Sequence, residues 1–178
     1  DKSNWNFVNK LKKNLVLTGM MGSGKSTIGK LLSKELRMEF VDTDNIIEKK
    51  LSLSIEEIFE SKGEQFFRKI EEEETKIVLQ KSSLIIALGG GSFANKTIRE
   101  HVKKTSISVW LDLDVNLIYK RAGNNKKRPL LKNISEIKLK KLYEERKKTY
   151  SLADFRVNSN SKDKDRIVKE IKKIYENR

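Results

Sequence analysis

Three observations predict an α/β fold built on a parallel sheet. Short apolar runs alternate with longer amphipathic stretches, the pattern of repeated strand–helix units. One run, Leu84-Ile85-Ile86-Ala87-Leu88, is apolar throughout, which suits a strand covered on both faces. A glycine-rich turn joins the first strand to the first helix, as in nucleotide-binding α/β proteins. The 178 residues, 37% hydrophobic and 36% charged, fit one domain with an ordinary core and argue against wholesale disorder.

The elements follow in order. Leu15-Val16-Leu17 forms the first strand, and a helix runs from about Lys25 to Arg37 with Ile28, Leu31, Leu32 and Leu36 at helical spacing. Glu39-Phe40-Val41 is the second strand and ends in Asp42-Thr43-Asp44. Ser54-Ile55-Glu56-Glu57 reads as a capping box that starts a short helix. A longer helix spans about Gly63 to Gln80, with Phe66, Phe67, Ile70, Ile77 and Val78 on one side. The third strand stops abruptly at Gly89-Gly90-Gly91. Ser106 to Leu111 is the fourth strand and Val115 to Ala122 the next helix. Residues 123–133 are polar and basic and hold the only proline, Pro129. A helix from Ser135 to Tyr150, a strand at Phe155-Arg156-Val157 and a helix from Asp163 to Tyr175 complete the chain.

Composition removes several function classes. Cysteine is absent, which excludes disulfide scaffolds, zinc ribbons and thiol nucleophiles. No apolar run approaches the roughly 18–20 residues of a membrane span. The start, Asp1 to Trp5, has no signal-peptide stretch, so a cytoplasmic location is expected, with an organellar one left open. The net charge of +14 invites a polyanionic partner. Yet 30 of the 39 basic residues are lysines spread from Lys2 to Lys173, without stacking aromatics or a reading motif. A solvated lysine surface, with no specific nucleic acid bound, is the expected reading. Arginine is scarce by comparison, and is expected where its planar fork is needed.

Gly19-Met20-Met21-Gly22-Ser23-Gly24-Lys25-Ser26 fits the phosphate-binding loop G-x-x-x-x-G-K-[ST], with a strand before it and a helix after it. Its backbone N–H groups and the helix N-terminus suit a polyphosphate. Lys25 is expected on the β- and γ-phosphates and Ser26 on Mg²⁺. Asp42 and Asp44 lie at the carboxyl end of the second strand, where open α/β sheets bind ligands. Read as an extended segment, the two carboxylates point the same way and divide labour between hydrated Mg²⁺ and an acceptor hydroxyl. The plain alternative is helix N-capping. Three consecutive glycines, Gly89, Gly90 and Gly91, suit a backbone that something approaches closely; a loose turn is the alternative.

Arg146 falls on the apolar stripe of its helix, about 20° from Leu139 at 100° per residue, so its guanidinium faces inward and needs an anion. An internal salt bridge or a snorkelling stem is the alternative. Arg68 and Glu71 share a helix side, which an exposed ion pair would also explain. Pro129 biases Arg128 toward extended backbone, suiting a side chain that reaches from a lid.

Together these segments resemble the shikimate kinases. The resemblance rests on Gly19–Thr27, Asp42-Thr43-Asp44, Gly63 to Glu71, Gly89-Gly90-Gly91, Arg128-Pro129-Leu130-Leu131 and Glu145 to Tyr150, in the family's order and spacing. It implies a three-layer P-loop fold, a five-stranded parallel sheet of order 2-3-1-4-5 flanked by helices, with a lid. The implied organisation is one domain over 14–178, with the lid near 123–133, a substrate-binding region near 44–80 and an extension at 1–13. The implied reaction moves the ATP γ-phosphoryl group to the 3-hydroxyl of shikimate. By this resemblance Lys25, Asp44 and Arg128 are catalytic, Asp44 being the candidate base. Gly22, Ser23, Gly24, Lys25, Ser26, Thr27, Arg121 and Arg128 bind ATP, with Arg121 on adenine. Asp44, Arg68, Gly89, Gly90, Gly91 and Arg146 bind shikimate. Ser26, Asp42 through water and Glu71 at second remove surround Mg²⁺, and a monomer is expected.

Two places depart from the family pattern. Lys148 stands where a proline is common, and Asn158-Ser159-Asn160-Ser161-Lys162 matches poorly where the chain usually closes over adenine. Two other readings remain: a gluconate or nucleotide kinase of the same fold, and a basic P-loop ATPase acting on nucleic acid.

Overall fold

A computed structural model describes residues 11–124 and 134–178. The expectations for Arg128 and for the lid beyond residue 124 therefore lie outside the described residues. Five parallel strands are β1 (Asn14–Thr18), β2 (Glu39–Asp42), β3 (Leu84–Ala87), β4 (Ser106–Asp112) and β5 (Phe155–Asn158). Their order is β2-β3-β1-β4-β5, as the resemblance implies. The α-helices are α1 (Lys25–Leu36), α2 (Thr43–Leu51), α3 (Ile55–Lys62), α4 (Glu64–Leu79), α5 (Lys96–Thr105), α6 (Val115–Asn124), α7 (Glu136–Tyr150) and α8 (Lys164–Glu176).

Strand alternation divides the core into two layers. Leu15 and Leu17 of β1, with Val109, Leu111 and Val157, face α1 and α8 through Ile28, Leu32, Ile167 and Ile171. Val16, Ile86 and Trp110 face the other way, against Val78, Val102, Ile118 and Leu139 from α4, α5, α6 and α7. Every residue of β1, β3 and β4 is buried, which explains the uninterrupted apolar run of β3. Ile47, Ile58 and Phe67 form a smaller cluster where α2, α3 and α4 meet beside the sheet. Residues 12 and 13 are tied in as well: Lys12 N donates to Ser83 Oγ at 2.9 Å, and Tyr175 Oη donates to the Lys13 carbonyl at 2.6 Å.

Two expectations need correction. Asp42-Thr43-Asp44 is not extended throughout: α2 begins at Thr43, and Asp42 caps it, accepting from the N–H groups of Asp44 and Asn45. Capping and proximity to the phosphate loop turn out to be compatible roles for one carboxylate. On α4 the buried residues are Phe67, Glu71, Glu74, Thr75, Val78 and Leu79, while Ile77 is 51% exposed. The inward stripe thus carries two glutamates, Glu71 partnered by Arg68 and Ser92 and Glu74 by Lys50.

Candidate active site

Phosphate-loop geometry follows from its glycines. Gly22 and Gly24 hold φ of 81° and 96°, values at which a side chain is strained. Gly24 is the N-cap of α1, whose first turn has no acidic residue, so the helix dipole stays available to an anion. The Lys25 Nζ donates to the carbonyls of Gly19 and Met20 at 2.7 and 2.9 Å and so lies over the loop. Gly22, Ser23, Gly24 and Thr27 open onto a groove of about 710 Å³ whose other wall includes Arg121, which is exposed. The same groove takes in Lys120, to which the sequence did not point, and Ser159, Ser161 and Lys162 from the poorly matching stretch that the resemblance sets over adenine. The 158–162 segment is brought there by tertiary bonds: Ser159 N donates to the Asp112 carbonyl at 2.9 Å, and Asn160 Oδ1 accepts from Asp114 N at 2.7 Å.

At the other end of the loop, Ser26 Oγ donates to Asp42 Oδ2 at 3.0 Å. This hydroxyl–carboxylate pair offers only hard oxygen donors, which fits Mg²⁺ arriving with a nucleotide and retaining water. Among the described residues no cluster of three or more His, Cys, Asp or Glu could hold a metal by itself. Glu71, which the resemblance put at second remove from the metal, has both carboxylate oxygens hydrogen-bonded to neighbouring side chains. Its Oε1 accepts from Arg68 Nη1 at 2.9 Å and its Oε2 from Ser92 Oγ at 2.9 Å. Glu71 is 1% exposed, so the Arg68 pair is half-buried and not the exposed ion pair that helix spacing would also allow.

The three glycines after β3 touch the three charged side chains that the sequence singled out. A methyl group on Gly89 would lie 2.5 Å from Asp44 Oδ1. On Gly90 it would lie 3.2 Å from Arg146 Nη1, and on Gly91 2.7 Å from both Arg68 Nη1 and Nη2. None of the three has positive φ, so glycine is required here by space and not by backbone conformation. The backbone is drawn in by two hydroxyls. Gly89 N donates to Thr43 Oγ1 at 3.2 Å, and Tyr150 Oη donates to the Gly90 carbonyl. Ser92, Thr43 and Tyr150 are the site-building residues that sequence reasoning missed. Their signal was polar side chains of small or phenolic type next to each motif.

Electrostatics sharpen the picture. Burial pushes the Asp44 carboxyl up to about 6, and the charges of Asp42 and Glu71 add to the shift while Lys25 opposes it. The Arg146 Nη1 is buried and has no hydrogen-bond partner among the described residues. A buried, unpartnered guanidinium N–H is costly unless a ligand supplies an acceptor. The site therefore offers an arginine pair for a small anion, a carboxylate with raised pKa for a hydroxyl, and a phosphate loop adjoining both.

Comparison with known proteins gives one consistent result. The family model described as shikimate kinase matches residues 21–176. A shikimate kinase of Sulfurihydrogenibium sp. (strain YO3AOP1) is 45% identical over 159 residues, 89% of this chain and 95% of that protein. One from Aquifex aeolicus (strain VF5) is 41% identical over 157 residues, 88% and 92% of the two chains. Among solved structures, shikimate kinase from Acinetobacter baumannii in complex with shikimate superposes with a TM-score of 0.85 at 33% identity, covering 92% of each chain. A gluconokinase from Sinorhizobium meliloti 1021 reaches 0.55 at 14% identity, covering 94% of this chain and 95% of that one, which shows a shared fold alone.

Proposed function

The chain belongs to the shikimate kinase family, and from that premise we propose how its own residues carry out the reaction. It is an ATP-dependent kinase acting on shikimate. The observation that carries the site assignment is the glycine trio, which sets Asp44, Arg146 and Arg68 around one small space. Arg68 and Arg146 hold the shikimate carboxylate, and the unpartnered Arg146 Nη1 receives one of its oxygens. Asp44, ionised above pH 6, accepts the hydrogen bond of the 3-hydroxyl and draws its proton as the new P–O bond forms.

The phosphate loop from Gly22 to Thr27 holds ATP with its γ-phosphate toward Asp44. Lys25, together with Arg128 from outside the described residues, neutralises charge on the transferred group. Ser26 and Asp42 would hold Mg²⁺, which when bound screens the β- and γ-phosphates. Glu71 fixes Arg68 and is not placed on the metal in this reading. Arg121 with Ser161 and Lys162 faces the base. We read 14–178 as one kinase domain working as a cytoplasmic monomer.

Reaction class and acceptor are tested together by coupled ADP release with Mg²⁺-ATP and a panel of acceptors. Shikimate gives turnover, while gluconate and nucleoside monophosphates stay at background. An equal or faster rate with either of those would overturn the assignment.

A further inference from the structure

Helix α7 delivers Arg146 to the acceptor space on a narrow apolar stripe, with Leu142 and Tyr143 partly buried against the core. Of its 15 residues, only Leu139 and Tyr150 are buried. A guanidinium about 6 Å from a helix axis moves about 1 Å for each 10° of rotation. Displacements of that size at a binding group can cost about 10²-fold in rate. A directional hydrogen bond fixes such a rotation more sharply than apolar contacts alone.

Two phenols flank Arg146 and do this. Tyr143, one turn before it, donates its hydroxyl to Asp112 Oδ1 at 2.8 Å. Tyr150, one turn after it, donates to the Gly90 carbonyl, the same glycine that abuts Arg146. Asp112 is itself fixed: it ends β4, is 8% exposed, and accepts from Arg156 Nε at 2.8 Å and from Arg156 Nη2. Arg156 lies over the Trp110 ring at 4.8 Å, and Trp110 packs against Tyr150 with ring centroids 5.8 Å apart. The contacts close a ring around the inner side of α7, from Tyr143 through Asp112, Arg156 and Trp110 to Tyr150.

We propose that Tyr143, clasped to Asp112, is a positioning residue that sets the rotation of α7 and so presents Arg146 to the substrate carboxylate. This inference rests on the reading of Arg146 as a shikimate ligand. Burial and the Asp112 carboxylate push the Tyr143 phenol up to about 12, so the clasp keeps its proton across the working pH range. Tyr143 touches neither substrate; it acts through the helix.

Tyr143→Phe removes only the clasping oxygen, and Asp112→Asn weakens the same bond from the other side, so it serves if the first variant folds poorly. Separate titrations with shikimate and with ATP are made on each, on Arg146→Lys, and on Tyr143→Phe combined with Arg146→Lys. The expected result is about a tenfold loss of shikimate affinity in Tyr143→Phe with ATP affinity unchanged. That loss shrinks or disappears in the Arg146→Lys background, because both changes act on one contact. Unchanged shikimate affinity, an equal loss for both ligands, or a full loss persisting beside Arg146→Lys would each overturn the proposal. If Arg146→Lys itself leaves shikimate affinity intact, the underlying site reading fails instead.

Discussion

The acceptor wall and the nucleotide groove adjoin the same loop but are built by opposite means. On the acceptor side, charged side chains are set against backbone with no room to spare, as the glycine trio shows. Their partners are also buried, with Glu71 and Ser92 at 1% and 0% exposure. The nucleotide groove is made instead of loop N–H groups, a helix end and exposed cations, Arg121 among them. Backbone donors recognise any polyphosphate, whereas a fixed arginine pair recognises one carboxylate in one place. On the proposed assignment, discrimination resides on the acceptor side, and changes there should separate the two ligands sharply.

The largest effect is expected from Gly91→Ala. The added methyl would displace the Arg68 guanidinium, which is the end of a flexible chain, and loosen its pair with buried Glu71. Misplacing that group should lower kcat/KM for shikimate by about 10²-fold and lower the melting temperature somewhat, with the ATP Kd nearly constant. Steady-state kinetics with a thermal melt check it; a parallel fall in ATP affinity would erase the distinction between the two walls. Arg146→Lys comes next. It keeps the charge but loses the fork, and should weaken shikimate binding by about 1.5–3 kcal/mol, the scale of a hydrogen bond to a charged group. Calorimetric titration reads this directly, and a comparable loss for ATP would again contradict the comparison.

Asp44 gives a prediction about stability. Its folded pKa of about 6 lies above its ordinary value of 3.8, so the folded state binds the proton more tightly. Stability is thus greatest at low pH on this account and is lost as pH rises from near 4 through 6. Asp44→Asn, which resembles the protonated form, should stabilise the protein by about 3 kcal/mol at pH 8. The gain should fade between pH 6 and 4, and the variant should lose phosphoryl transfer. Urea melts at three pH values decide it; a gain independent of pH would point to packing and not to charge.

What the sequence revealed, and what it hid, follows the same division. The phosphate loop, the arginines and the glycine trio were legible because each demands a particular residue type at a particular spacing. The inward phase of Arg146 was legible because Leu139 and Tyr150 mark the buried stripe of α7. Helix α2 was not, since it starts directly off β2 with no glycine or proline between them, and Asp42 serves both elements. The inner face of α4 was misjudged because buried Glu71 and Glu74 look like solvent positions until their partners, Arg68, Ser92 and Lys50, are seen. Ser159 and Ser161 were legible only as part of a poorly matching stretch, because their place in the groove depends on Asp112 and Asp114, more than 40 residues earlier in the chain.

The smallest effect belongs to Arg121. It is exposed on the outer wall of the groove, where water screens its charge and a base can stack on it from one side only. Exposed contacts between a cation and an aromatic face contribute about 0.5–1 kcal/mol. Arg121→Ala should therefore raise the KM for ATP about two- to fivefold and leave shikimate affinity unchanged. Arg121→Lys should recover less than the retained charge alone would suggest, because the planar face is what stacks. Initial rates across an ATP series at saturating shikimate measure both variants. A loss of tenfold or more would mean that the groove grips its ligand through side chains as the acceptor wall does, and that the two regions do not differ in kind.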